Sequence, residues 1–279
     1  MTFISAAPEH LTYFDLQLDR PDWENAKVLD FGGNRGITLT SGRIRESNYW
    51  CIDVSLDAID QGRYDYPKAH WIFYNRYNFH FNPNGIPGLP IPLYGQSFDF
   101  ILAYSVFTHT SKAEMIELVN CLRELLVETG RLAFTFIDPH FVLPKSYTNL
   151  LREHDPPTNL GLRLEMIKKR NPSLSVQQRL REAAGAGWCT LINDGDLYLG
   201  SEDNVDHGTQ TKMLYDSFCT VSQMRQIFPE STILSSPEKY DPQGREMQHC
   251  CILGPRRERQ MGPRSREEIV YTAERDLSR

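Results

Sequence analysis

Short apolar runs alternate with amphipathic stretches through the first half of the chain. Val28-Leu29, Tyr49–Ile52, Ala69–Tyr74, Phe98–Ala103 and Arg131–Ile137 read as strands, and in the fourth Phe98, Phe100, Ile101, Leu102 and Ala103 form the apolar run of a strand covered on both faces. Between them the period lengthens. His10 to Leu18 places Leu11, Phe14 and Leu18 on one helical face, with Tyr13 beside them. Gly36 to Glu46 is predicted as the first connecting helix, although Gly42 and the threonines give it poor propensity. Ser55 can cap the next helix, with Leu56 and Ile59 turned inward. Ser111 and Glu114 form a capping box ahead of the stripe Met115, Leu118, Val119, Leu122, Leu125, Leu126, and Gly130 ends that connection before the fifth strand.

The second half is less regular. Residues 139–210 are too long for an ordinary connection. They carry Pro144, Pro156, Pro157 and Pro172 and a helix-like stretch, Ser175–Ala184. Two apolar runs, Trp188–Ile192 and Leu197–Leu199, then flank Asn193-Asp194-Gly195-Asp196, which predicts a hairpin. Thr220 starts a helix that ends near Phe228-Pro229, and Ser231–Ser235 and Met247–Leu253 read as the last two strands. After Pro255 the chain is rich in Arg and Glu and poor in apolar residues, as in a flexible tail. Strands that alternate with helices in this way predict an α/β fold around a mainly parallel sheet.

The chemistry concentrates where the first strand ends. Asp30-Phe31-Gly32-Gly33-Asn34-Arg35-Gly36 has the form D-x-G-x-x-x-G. Glycine lets the backbone take positive φ and approach a ligand closely, and a strand-to-helix turn aims free N–H groups at that ligand. A glycine-rich surface turn is the plainer reading of the same residues. The second strand ends at Asp53, where a carboxylate can accept from both hydroxyls of a nucleoside ribose. A nicotinamide dinucleotide fits less well, because its G-x-G-x-x-G fingerprint is missing from residues 32–36.

Asp30, Gly32, Gly33, Asn34, Gly36, Asp53 and the strand Phe98–Val106 resemble the motifs of class I S-adenosylmethionine-dependent methyltransferases. The resemblance covers residues 24–138 well and 211–254 loosely. Asn34 stands where that family commonly has the middle glycine of its first motif, a mild departure because Asn tolerates the left-handed region. The resemblance implies a doubly wound, Rossmann-like sheet of seven strands in the order 3-2-1-4-5-7-6, with an inserted cap after strand 5. It also implies S-adenosylmethionine as cofactor, with S-adenosylhomocysteine as product.

Carried onto this chain, the resemblance assigns the donor to Tyr13, Asp30, Gly32, Gly33, Asn34, Gly36, Asp53, Asn75, Tyr104 and Ser105. Tyr13 or His10 would reach it from an N-terminal helix that folds over the cleft, or would only pack that helix down. Asn75, after the third strand, would meet the adenine amino group, or would only form a turn in the Asn- and Pro-rich loop that runs to Gly95. Tyr104 and Ser105 leave the ligand end of the fourth strand. His109 and His140 are the candidate bases, since an imidazole can take an acceptor's proton near neutral pH; either can instead serve only to hold its loop or bind substrate. Trp188, Tyr198, Asp206 and His207 are candidate lining groups of the cap.

The expected organisation is a helix over the cleft (1–22), a donor-binding domain (23–138 and 211–254), a substrate cap (139–210) and a charged tail (255–279). Composition narrows the function. A chain of 279 residues with 40% hydrophobic and 24% charged residues can bury a large core. Its net charge of −6 argues against a nucleic-acid partner. There is no long apolar run for a membrane span and no signal-peptide pattern, so the expected location is the cytoplasm. The cysteines lack paired C-x-x-C spacing and sit mostly in apolar runs, so no metal site is expected. The resulting expectation is methyl transfer to a small molecule, most naturally at oxygen. An RNA or protein methyltransferase and a non-catalytic donor-binding module are the alternatives, and the sequence leaves a homo-oligomer open.

Overall fold

The structure, a computed structural model, describes residues 10–78, 81–138, 185–193, 197–200, 214–234 and 248–256. The alternating pattern forms one sheet. Its strands are β1 (Val28–Phe31), β2 (Tyr49–Asp53), β3 (His70–Phe73), β4 (Phe98–Ala103), β5 (Leu126–Ile137), β6 (Trp188–Asn193), β7 (Leu197–Gly200), β8 (Leu214–Cys219), β9 (Thr232–Leu234) and β10 (Gln248–Leu253). The helices are α1 (His10–Gln17), α2 (Leu56–Asp65), α3 (Lys112–Glu124) and α4 (Val221–Ile227).

The main path is β3-β2-β1-β4-β5-β10-β9. The first five strands run parallel, while β10 is antiparallel to both β5 and β9. Numbered within that path, the order is 3-2-1-4-5-7-6, the Rossmann-like order expected. A second arm branches from the end of β5. β8 meets it in parallel at Ile137↔Phe218 and carries β6 and β7 as an antiparallel extension. The runs on either side of Asn193–Asp196 thus pair as the hairpin that their turn predicts; residues 194–196 themselves lie outside the described residues.

The pleat splits the core into two layers. Leu29, Ile52 and Ile101 point to one face, where Met115, Val119 and Leu122 of α3 and Met224 of α4 cover them. Val28, Cys51 and Leu102 point to the other, under Leu11, Tyr13 and Phe14 of α1 and Ile59 of α2. Full burial of a leucine or phenylalanine contributes about 1.5–3 kcal/mol, so α3 is held mainly by its stripe. Its start is fixed by the expected capping box: Ser111 Oγ accepts from Glu114 N–H, and the Glu114 carboxylate accepts from Ser111 N–H.

Three local expectations are corrected. Gly36–Glu46 forms no α-helix, only short 3-10 turns at Ile37–Ser41 and Glu46–Asn48. Gly42 stops the first turn at φ 69°, where its N–H returns to the Leu39 carbonyl. Gly130 does not end the connection; it lies inside β5, at the register shift between Phe98 and Phe100. A Cβ there would come 2.9 Å from the Phe98 carbonyl oxygen, so glycine permits the close approach of two backbones. Leu56 is exposed, and Ile59 alone of that predicted pair enters the core.

Candidate functional site

The carboxyl ends of β1, β2 and β4 open onto a cavity of about 680 Å³, at the point where the strand order reverses across β1. β1 delivers Asp30 to its base. The carboxyl is buried and accepts from the Tyr49 hydroxyl at 2.7 Å. Burial raises its pKa to about 6, against the opposing effect of hydrogen bonds from Thr38 and Tyr49. Burial also pushes the Tyr49 hydroxyl and Cys51 thiol up, so these two groups keep their protons at neutral pH.

The glycine turn lies over that carboxyl. Gly32 takes φ 71° and donates its N–H to Ile52 O at 2.8 Å. A Cβ on Gly32 would strike Val106 Cγ2 at 2.5 Å, and one on Gly33 would strike Asp30 Cγ at 2.5 Å. Asn34 takes φ 54°, the left-handed conformation that asparagine accepts. Gly36, also left-handed, serves a different purpose: a Cβ there would meet the Trp71 ring at 2.7 Å, so it makes room for core packing and does not line the cavity.

Asp53 closes the turn from the β2 side. Its Oδ2 accepts from Asn34 N–H and its Oδ1 from Ser55 N–H, each at 2.8 Å. The two bonds fix the carboxylate at the cavity wall and leave acceptor capacity on each oxygen. Burial raises its pKa, while the backbone hydrogen bonds from Ser55 and Asn34 act the other way.

Opposite, Tyr104 and Ser105 leave β4 into the cavity wall. Ser105 is strained into φ 56° and held by its N–H to Thr135 Oγ1 at 2.7 Å. The His10 ring of α1 stacks on Tyr104 with centroids 3.9 Å apart. Burial there pushes the His10 pKa down to about 4, so the ring is neutral at physiological pH. His109 also lines the cavity; its carbonyl accepts from Asn78 Nδ2 at 3.1 Å, and the Phe81 ring meets its imidazole edge-on.

The structure therefore brings Asp30, Gly32, Gly33, Asn34, Asp53, Tyr104, Ser105 and His109 to one cavity. It does not bring Tyr13 or Asn75 there. Tyr13 is fully buried, with its hydroxyl donating to Gln248 O at 3.0 Å. The Asn75 side chain accepts from Asn82 Nδ2 at 3.1 Å and closes the loop behind the wall. His140, Asp206 and His207 lie outside the described residues, as does the Tyr198 side chain. Trp188 is buried in the core.

Arg76, which stands next to Asn75 in that loop, and Glu114, expected only as part of the helix cap, also belong to the cavity. Arg76 is 4% exposed and forks onto Glu117 at 3.0 and 2.8 Å. Its guanidinium is held charged, with a raised pKa: desolvation opposes the charge, and the hydrogen bonds to Glu117 and Tyr74 outweigh it. The signal available was the pair Glu114 and Glu117, like charges three residues apart on one helix face, whose repulsion a nearby cation relieves.

Among the described residues no helix is long and apolar enough to cross a membrane. No protein-family model matches the chain, and no curated protein matches it. Solved structures do. The PH0226 protein from Pyrococcus horikoshii OT3 is 12% identical, with 88% of this chain and 89% of that one covered at a TM-score of 0.47. The glycopeptide N-methyltransferase MtfA complexed with sinefungin is 11% identical, with 91% and 96% covered at a TM-score of 0.47. The CcbJ methyltransferase from Streptomyces caelestis is 11% identical, with 89% and 96% covered at a TM-score of 0.47.

Proposed function

We propose that this chain is an S-adenosylmethionine-dependent methyltransferase that acts on an oxygen atom of a small molecule. The observation that carries the reading is Asp53. Its carboxylate is pinned by two backbone N–H groups at the end of β2, beside a glycine turn, with capacity left on both oxygens. That is the pair of acceptors a vicinal ribose diol needs for its two hydroxyl donors. The cavity also suits the ligand in size, since small-molecule sites span roughly 300–1,000 Å³.

When bound, S-adenosylmethionine supplies a methyl group already activated on a sulfonium. The residues of this chain have the remaining tasks. Asp53 holds the ribose hydroxyls, and the Gly32–Asn34 backbone receives the amino-acid end of the nucleoside. Tyr104, backed by neutral His10, offers an aromatic face to a cation. His109 takes the acceptor's proton, with His140 as the second candidate for that role.

Within residues 139–210 the β6–β7 hairpin extends the sheet through β8, and the remainder is assigned to a cap that excludes water and shapes the acceptor end. One contact supports this placement: Ser217 Oγ of β8 donates to Thr110 O at 2.6 Å, tying the arm that carries the β6–β7 hairpin to the turn after β4.

Titration calorimetry with S-adenosylmethionine, S-adenosylhomocysteine and NADH tests the reading. Saturable one-site binding of both sulfur nucleosides, and none of NADH, is expected. A folded sample that binds neither sulfur nucleoside would overturn it.

A further inference from the structure

The end of the cavity formed by the loop after β3 and the start of α3 has its own chemistry. Both terminal nitrogens of Arg76 are committed to Glu117, and its buried Nε–H has no partner among the described residues. Glu114 stands beside it, with Oε1 3.8 Å from Arg76 Nη2, an ion pair beyond hydrogen-bond range. Its Oε2 accepts from Ser111 N–H at 3.3 Å. One guanidinium thus faces two carboxylates, and the cluster keeps a negative charge. The Phe81 and His109 rings, centroids 5.3 Å apart, supply an apolar wall.

We infer that this end is the acceptor subsite and that it selects an uncharged polyhydroxylated ring, a sugar or cyclitol, with Glu114 accepting from one of its hydroxyls. The inference rests on the methyltransferase reading above. A hydroxyl is a neutral group that can donate to the free acceptor capacity of the Glu114 carboxylate. The C–H face of such a ring suits Phe81. A phosphate or carboxylate at this place meets the Glu114 charge, while the neighbouring cation is already occupied by Glu117.

Glu114→Gln is the informative variant. Glutamine can keep the reciprocal cap of α3, so the change removes the charge and leaves the helix start. Tritiated S-adenosylmethionine is offered with neutral hexoses, pentoses and cyclitols, and with uronic acids and sugar phosphates. The wild-type protein is expected to methylate neutral members. In E114Q their KM should rise tenfold or more, with kcat and the Kd for S-adenosylhomocysteine within twofold of wild type.

The inference is overturned if acids or phosphates are the preferred acceptors, if E114Q leaves KM unchanged, or if no panel member is methylated by a protein that binds S-adenosylhomocysteine. Loss of nucleoside binding in the wild-type protein marks the separate failure of the donor reading, and the subsite falls with it.

Discussion

Gly33 sits directly over the Asp30 carboxyl: a Cβ at position 33 would lie 2.5 Å from Cγ and 2.7 Å from Oδ2. Asp30 is itself buried and bonded to Tyr49, so it cannot swing away without breaking that hydrogen bond. Gly33→Ala therefore overpacks a fixed site. It should destabilise the protein by about 1–3 kcal/mol and lift the turn away from its place beside Asp53. Thermal unfolding reads the first effect. Calorimetry with S-adenosylhomocysteine, at a temperature where the variant is folded, reads the second as weaker binding.

Asp53→Ala should weaken S-adenosylhomocysteine strongly. Hydrogen bonds to a charged group are worth about 1.5–3 kcal/mol, or roughly 10- to 150-fold in Kd. The backbone N–H groups of Asn34 and Ser55 also lose their shared acceptor, so circular dichroism must accompany the titration. Asp53→Asn keeps one carbonyl oxygen and should fall between wild type and Ala. Unchanged affinity in both variants would remove Asp53 from the binding site.

The strand order and the pinned aspartate were legible because they depend on runs and punctuation. Apolar runs mark buried parallel strands, and the turns carry glycine or a capping serine. The errors arose where side-chain direction decides. Asn75 and Arg76 are neighbours at the end of β3, yet one closes the loop and the other lines the cavity, and composition cannot show which way each points. For α1 the sequence offers Tyr13 or His10 as the residue at the cleft, with packing of the helix as the alternative for either, and Tyr13 takes the packing role. The helix does reach the cavity, but through His10, one turn earlier. Gly36 belongs to a motif read as ligand-binding, while its space is taken by Trp71, a residue distant in sequence.

If His109 is the base, His109→Ala should lower kcat by about 10²–10⁴-fold, the range that general-base groups contribute, and leave the Kd for S-adenosylhomocysteine within twofold. The ring also packs on Phe81, so a rise in KM alone would assign it to acceptor binding. Retained kcat across the pH range would move the base role to His140→Ala as the next variant.

Asp30 makes a prediction about pH that needs no substrate. Its folded-state pKa is about 6, raised from the ordinary 3.8 chiefly by burial. The folded protein therefore holds this proton more tightly than the unfolded chain. As pH rises from about 4 to about 6 the side chain must ionise in a buried place, and the stability that its neutral form provides is lost. Two pH units correspond to roughly 3 kcal/mol as an upper bound. Asp30→Asn cannot ionise, and its amide oxygen can still accept from Tyr49. The unfolding free energy of wild type minus that of D30N should fall across this window and level off above about pH 7, while carboxylates common to both proteins cancel. Urea unfolding at pH 4.5, 5.5, 6.5 and 7.5 measures that difference. A difference that stays flat, or grows with pH, would mean that Asp30 ionises as readily in the fold as in the unfolded chain.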